Sequence, residues 1–193
     1  MLDKAIIRKV PKVELHEHLD GGLRPETIIE LAKERNVSIP SQDPGELREW
    51  FKRGCVQKSL SLYLETFSVT LSVMQDKEAL YRIAKEEILD LAKEHVVYAE
   101  IRFAPELHTK QGMNLEEVVT AVLKGLEAGR KETGTEFGLI LCAMRNEDPV
   151  LSLEVAELAV AFSDRGVVGF DLAGDECGHP PKKHIEAFNY IRS

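Results

Sequence analysis

Strand-like and helix-like segments alternate along the chain, and this alternation constrains the fold more than any other feature of the 193 residues. Residues 13–18, 97–103, 137–142 and 167–172 are short apolar runs. Their apolar character on both faces suits parallel strands covered by helices, which predicts an α/β fold. Between them lie stretches with helical spacing. Pro25 marks a first-turn position and Asn36 an end, with Ile28, Ile29, Leu31 and Ala32 on the apolar side. Asp76 reads as a cap for a helix whose Leu80, Ile83, Ala84, Ile88 and Leu91 form one stripe. Asn114, with Glu117 three residues on, predicts a capped helix carrying Val118, Val119, Val122 and Leu126. A helix over 151–162 precedes the fourth strand, and a last one runs from about residue 182. Residues 37–58 are rich in proline, glycine and charge and read as a long connection, with one short helix around Trp50.

The first strand ends in the run Pro11-Lys-Val-Glu-Leu-His-Glu-His-Leu-Asp-Gly-Gly22. Residues two apart on a strand share a face, so His16 and His18 can reach one metal ion together, with Asp20 just beyond them. Glu17 and Leu19 point the other way. A catalytic zinc takes three protein ligands and keeps a position open for water, so two histidines make only part of such a site. The spacing alone is weak evidence, because six histidines in a chain of this length fall two apart by chance. Asp20 by spacing alone is equally a turn residue before Gly21 and Gly22.

The flanks sharpen this reading. PKVELHEHLDGGLRPETI resembles the first-strand motif of the adenosine deaminase family, and VVYAEIRFAPELH from Val96, LILCAMRNED from Leu139 and VVGFDLAGDE from Val167 follow in the family's order. The resemblance implies a TIM-type (β/α)8 barrel of which this chain supplies about the first four βα units, since a whole barrel takes about 250 residues. It implies one domain over 1–193, the N-terminal half of that barrel, with residues 37–75 as a lid or connecting segment. It also implies a zinc hydrolase that converts adenosine or deoxyadenosine to inosine and ammonia. In that likeness His16 and His18 are two of the ligands of one Zn2+, and His18 also borders the substrate. Asp20 contacts the ribose hydroxyl, and the backbone amide of Gly174 meets the purine ring, which only a residue without a side chain allows so closely. The family's third zinc histidine, zinc aspartate, acid and base come from an HAGE motif, a later histidine and an aspartate pair. None of these occurs here, so no catalytic residue is assigned and the isolated chain is expected to be inactive. The alternatives are a purine deaminase acting on adenine or a nucleotide, and a noncatalytic half-barrel that acts as an interaction partner. Open strand edges on a half-barrel invite self-association or pairing with a missing C-terminal half.

Composition removes other classes. A net charge of −8 without a Lys/Arg cluster argues against nucleic-acid binding. No stretch approaches the roughly 18 apolar residues of a membrane helix, and the N-terminus lacks a signal-like apolar segment, so a cytoplasmic location is expected. Cys55, Cys142 and Cys177 show no CxxC spacing and read as incidental thiols. Glu100 and Arg102 share a face of the second strand, and Glu14 shares that of His16, which predicts a carboxylate–arginine network below the metal. His95, His108, His179 and His184 read as surface or helix-end residues.

Overall fold

The computed structural model describes residues 3–56 and 60–193, with the side chains at 5, 55, 60–62 and 65 excepted. Four parallel strands, β1 (Lys12–His18), β2 (Val96–Phe103), β3 (Glu136–Met144) and β4 (Val167–Ala173), lie in the order β1-β2-β3-β4. Each neighbour follows its predecessor through helices, as parallel pairing requires. A helix α1 (Lys4–Lys9) precedes β1 and was not expected. After β1 come α2 (Pro25–Glu34), α3 (Pro44–Cys55), α4 (Leu60–Ser72) and α5 (Lys77–Lys93). Helix α6 (Leu115–Thr133) joins β2 to β3, α7 (Pro149–Ala161) joins β3 to β4, and α8 (Ile185–Arg192) follows a 3-10 turn at Pro181–His184.

The helix boundaries follow from capping chemistry. Asp76 accepts from the amides of Glu78 and Ala79, and Asn114 with Glu117 forms a reciprocal capping box. Asn36, just beyond α2, takes a left-handed φ of 55° that stops the helix. Within the expected connection over 37–58 the helix around Trp50 is longer than expected, α3 running from Pro44 to Cys55, and residues 57 and 58 lie outside the described part. Pro44 and Gly45 look like loop residues, yet proline without an amide hydrogen is suited to a helix's first turn. Asp43 caps that turn from the amide of Glu46 at 2.8 Å.

The core lies between the outer face of the sheet and α5 and α6. Ala99, Ile101 and Phe103 of β2 and Leu139, Leu141 and Ala143 of β3 are all buried there. The expected burial on both faces holds for most of β2 and β3, Val97 at 48% exposure excepted, but not for the edges. Val13 and Leu15 of β1 are 56% and 58% exposed, and Val168 of β4 is 55% exposed. Both of these strands are edges of the sheet, although β4 is still packed against α7, and its Phe170 meets Phe188 of α8.

Helices α5 and α6 approach closely because α6 presents glycine at the crossing. A Cβ on Gly129 would lie 2.6 Å from Ile88 Cβ, and one on Gly125 would lie 2.8 Å from Ala84 Cβ. Alanine would favour α6 as a helix by up to about 1 kcal/mol. Overpacking costs about 1–3 kcal/mol and outweighs that gain, because backbone and Cβ atoms have no rotamer to yield. Gly129→Ala is therefore expected to lower the urea midpoint, while Lys124→Ala on the exposed face of α6 leaves it nearly unchanged. A Gly129→Ala chain as stable as the parent would contradict this packing.

Candidate active site

Parallel βα sheets gather function at the carboxyl ends of their strands, and here the last residues of β1, β2, β3 and β4 frame one rim. The rings of His16 and His18 stand side by side on the inner face of β1, with centroids 5.2 Å apart. The carbonyl of His18 accepts from the amides of Gly21 and Gly22 at 2.9 and 3.1 Å. This folds the chain sharply after β1 and turns Asp20 inward. Asp20 is 7% exposed, its Oδ1 lies 3.7 Å from Nδ1 of His18, and that buried oxygen has no hydrogen-bond donor among the described residues.

Arg102 reaches across from β2, with one guanidinium nitrogen 3.3 and 3.4 Å from the two ring nitrogens of His16. Its ion-pair partner is Asp171 of β4. The expected carboxylate–arginine contact therefore exists with a different acid. Glu100 instead accepts from the Tyr98 hydroxyl at 3.1 Å, and Glu14 accepts from the amide of His16. Desolvation, then the positive charges of Arg102 and His18, hold the His16 ring below its ordinary pKa against the pull of Glu14. That keeps the ring in the neutral form from which imidazole binds a metal.

Beside this pair is a cavity of about 400 Å³ that contains His18, Asp20 and Gly174 in its wall. Three of the four residues singled out in the sequence thus line one space, while His16 stands outside the lining next to Arg102. Phe67 of α4, Phe103, Leu107, Cys142 and Met144 supply the apolar surface, and Asn146 and Asp175 add polar groups. The ring of Phe67 meets His18 edge-on at 6.2 Å. Gly174 has φ +98°, and a Cβ there would lie 3.1 Å from Asn146 Oδ1 and from Met144 Cε. The backbone angle favours glycine at that position, and the neighbouring side-chain ends leave a Cβ little space.

Two of the histidines expected at the surface or at helix ends close 3-10 turns, His108 at Pro105–His108 and His184 at Pro181–His184, and both are buried rather than at the surface. His108 is wholly buried against Phe103 and bonds the carbonyl of Met74 through Nδ1 at 2.9 Å, and burial lowers its pKa. His184 is 1% exposed and uses both ring nitrogens. His95 is exposed beyond α5, in keeping with the sequence reading, and His179 is half-buried. Glu106 accepts from the amide of Met144 at 2.9 Å and is pushed up to about 7 by burial. Cys142 is buried and its thiol is pushed up to about 11, which leaves it protonated and unreactive near neutrality. Hydropathy gave no signal for these groups, since their burial depends on contacts from distant segments.

The donor set has a definite limit. Among the described residues no three His, Cys, Asp or Glu side chains are grouped to hold a metal ion. The site offers two imidazoles from one strand, which fit part of a zinc ligand set and not the whole.

Both ends of the cavity lie at strand termini of a parallel βα sheet, and the chain folds as about half of a TIM-type βα barrel. The model of the adenosine deaminase family matches residues 11–193, and the chain belongs to that family. It is 51% identical to the adenosine deaminase of Mycobacterium marinum over 192 residues, covering 96% of this chain and 52% of that protein. The solved structure of the Arabidopsis N6-mAMP deaminase is similar with a TM-score of 0.83 at 28% identity, over 97% of this chain and 57% of that one. An amidohydrolase from Burkholderia ambifaria with bound Zn has the same fold, with a TM-score of 0.83 at 24% identity over 97% and 50% of the two chains. The chain spans about half the length of the relatives it matches.

Under the site turn lies a charge that is costly to form. Glu87 of α5 is 8% exposed, and a Cβ on Gly22 would sit 2.5 Å from its Oε2. Burial, then the charges of Glu17 and Asp90, push its pKa up to about 8, against Arg24. Arg24 is already engaged by Asp90 at 2.6 and 2.7 Å. A folded pKa above the ordinary 4.5 means that this contribution to stability is complete below about 4.5 and is lost as pH rises through about 8. Glu87→Gln keeps the shape and removes the ionisation. Between about pH 5 and pH 8 the parent should lose roughly 2–4 kcal/mol more stability than the variant in urea denaturation. Equal losses would show that Glu87 ionises freely in the folded chain.

Proposed function

We propose that this chain is the N-terminal half, one domain over 1–193, of a zinc-dependent adenosine deaminase that converts adenosine or deoxyadenosine to inosine and ammonia. The observation that carries this reading is the convergence of His18, Asp20 and Gly174 on one cavity of about 400 Å³ beside the His16–His18 pair. His16 and His18 would hold the zinc, and the neutral state favoured for His16 suits ligation. Zinc, when bound, supplies a Lewis acid that makes water a competent nucleophile near neutral pH. Asp20 accepts the ribose hydroxyl, which satisfies its orphaned Oδ1. The amide of Gly174 meets the edge of the purine, and Phe67, Phe103 and Leu107 exclude water from its faces. The segment 37–75 acts as a lid, because α4 contributes Leu64, Phe67 and Leu71 to the cavity wall.

Asp20 also weighs against the nucleotide alternative. A phosphate at that end would face a buried carboxylate oxygen with no donor beside it, which is electrostatically unfavourable. The chain holds no catalytic acid or base of its own in this reading. The exposed Val13, Leu15 and Val168 at the sheet edges are the surface on which a C-terminal half, or a second copy, pairs. No helix among the described residues is long and apolar enough to cross a membrane.

Conversion of adenosine to inosine, followed by ultraviolet absorbance with added zinc, tests this reading. The chain alone should show no turnover, and a separately produced C-terminal half of a related deaminase should restore it. His16→Ala should then reduce the restored rate by about 100-fold or more, because zinc chemistry loses a ligand. Turnover by the chain alone, or no restoration by any C-terminal half, would overturn the assignment.

A further inference from the structure

His184 is 1% exposed and makes a hydrogen bond from each ring nitrogen. Its Nε2 lies 3.1 Å from the carbonyl oxygen of Arg145. A carbonyl only accepts, so Nε2 carries the proton. In the neutral ring Nδ1 is then an acceptor, and it takes the hydroxyl of Ser152 at 2.7 Å. One tautomer satisfies both contacts and joins three segments: the loop after β3, helix α7 and the turn before α8. A serine–histidine pair at this distance has the form of an activated nucleophile. Ser152 is also 1% exposed, however, and burial of both residues removes any access to a reacting molecule.

What the pair holds is the support of Gly174. The amide of Arg145 donates to the carbonyl of Ala173 at 2.9 Å, and its guanidinium donates to the carbonyl of Leu172 at 3.3 Å. Arg145 also pairs with Glu176 at 3.5 Å, on the far side of the turn. A Cβ on Gly174 would lie 3.4 Å from Arg145 Cγ, so the glycine is seated directly on this residue. The turn at Gly174 is therefore fixed to Arg145, and Arg145 is fixed to His184.

We propose that His184 is a positioning residue: through the Arg145 carbonyl it sets the place of the Gly174 turn in the cavity wall. The proposal rests on the reading that Gly174 meets the purine, and it adds a residue to which neither the motif nor the cavity lining assigns a role. His184→Gln keeps a donor near the place of Nε2 and loses the acceptor toward Ser152. His184→Asn keeps a group near Nδ1 and loses the bond to Arg145. The two variants sacrifice comparable packing and differ in which contact survives.

The readout is amide hydrogen exchange in the 193-residue chain, taken as the ratio of the rate at Arg145 to that at Leu141 in the sheet core. A global loss of stability moves both rates and leaves the ratio unchanged. His184→Asn should raise the ratio about fivefold or more, as loss of one buried hydrogen bond implies, and His184→Gln should stay within about twofold of the parent. Equal ratios in the two variants, or an unchanged ratio in His184→Asn, would overturn the proposal. Should a variant not fold, long-range proton–nitrogen spectra of the parent decide. A protonated Nε2 supports the clamp, and a ring protonated only at Nδ1 overturns it. Adenosine added to the parent tests the underlying reading separately. A shift of the Gly174 amide supports the purine contact, and no shift overturns that contact while the exchange ratio still decides the role of His184.

Discussion

The Arg102 guanidinium is the interaction on which the inner face of the sheet depends. It is 8% exposed, and a buried cation is tolerated only where its charge is answered. Asp171 answers it from β4, while the same guanidinium lies against the ring of His16 on β1. One side chain thus ties the second strand to the first and fourth, the two edges of the sheet. Asp171 and Gly174 lie three residues apart at the end of β4, so this tie also fixes the part of the rim that bears the glycine. Removing Asp171 alone would leave a buried, unanswered cation, which is worse than removing both partners.

What could be read directly from the residues was whatever depends on short-range geometry. The His16–His18 face follows from the period of a strand, and Asp76 and Asn114 were recognisable as caps because a side-chain oxygen reaches amides only two or three residues on. The order of the four strands followed from strand–helix alternation and from the motifs quoted above. The helix around Trp50 is legible, but its start at Pro44 is not, because Pro44 and Gly45 read as loop formers and not as the first turn behind the Asp43 cap. The buried positions of His108 and His184 were invisible for a deeper reason. His108 bonds a carbonyl 34 residues earlier and His184 one 39 residues earlier, and no local periodicity encodes such partners. Asp171 as the counter-charge of Arg102, 69 residues away, was hidden in the same way.

The edges of the sheet show how the residues anticipate more structure than these four units supply. Val13, Leu15 and Val168 are β-branched or aliphatic residues of the kind that strands bury, yet all are more than half exposed. Central strands β2 and β3 carry the same residue types and bury most of them, Val97 at the start of β2 excepted. The difference lies in what covers each strand and not in the composition of the strand itself. The proposed pairing with a C-terminal half or a second copy would give the edge residues the environment that the central ones already have.

The two ends of the cavity are built on different principles. At one end Asp20 presents a buried acceptor with no donor, which favours a ligand that brings a hydroxyl and disfavours one that brings another anion. At the other end Gly174 presents backbone, and its φ of +98° is one that residues with side chains rarely adopt. Each end is backed by a buried histidine bonded to a main-chain carbonyl: His108 to Met74 near the Asp20 end, and His184 to Arg145 beneath Gly174. A carbonyl contact costs little conformational freedom on the accepting side, because the backbone is already ordered by its own hydrogen bonds. Two rigid rings, each locked in one tautomer by a carbonyl, therefore hold the ends of a site whose polar groups would otherwise ride on loops. The geometry of the ends then depends on the core, where packing is densest, and not on the surface segments that carry the ligand-facing atoms.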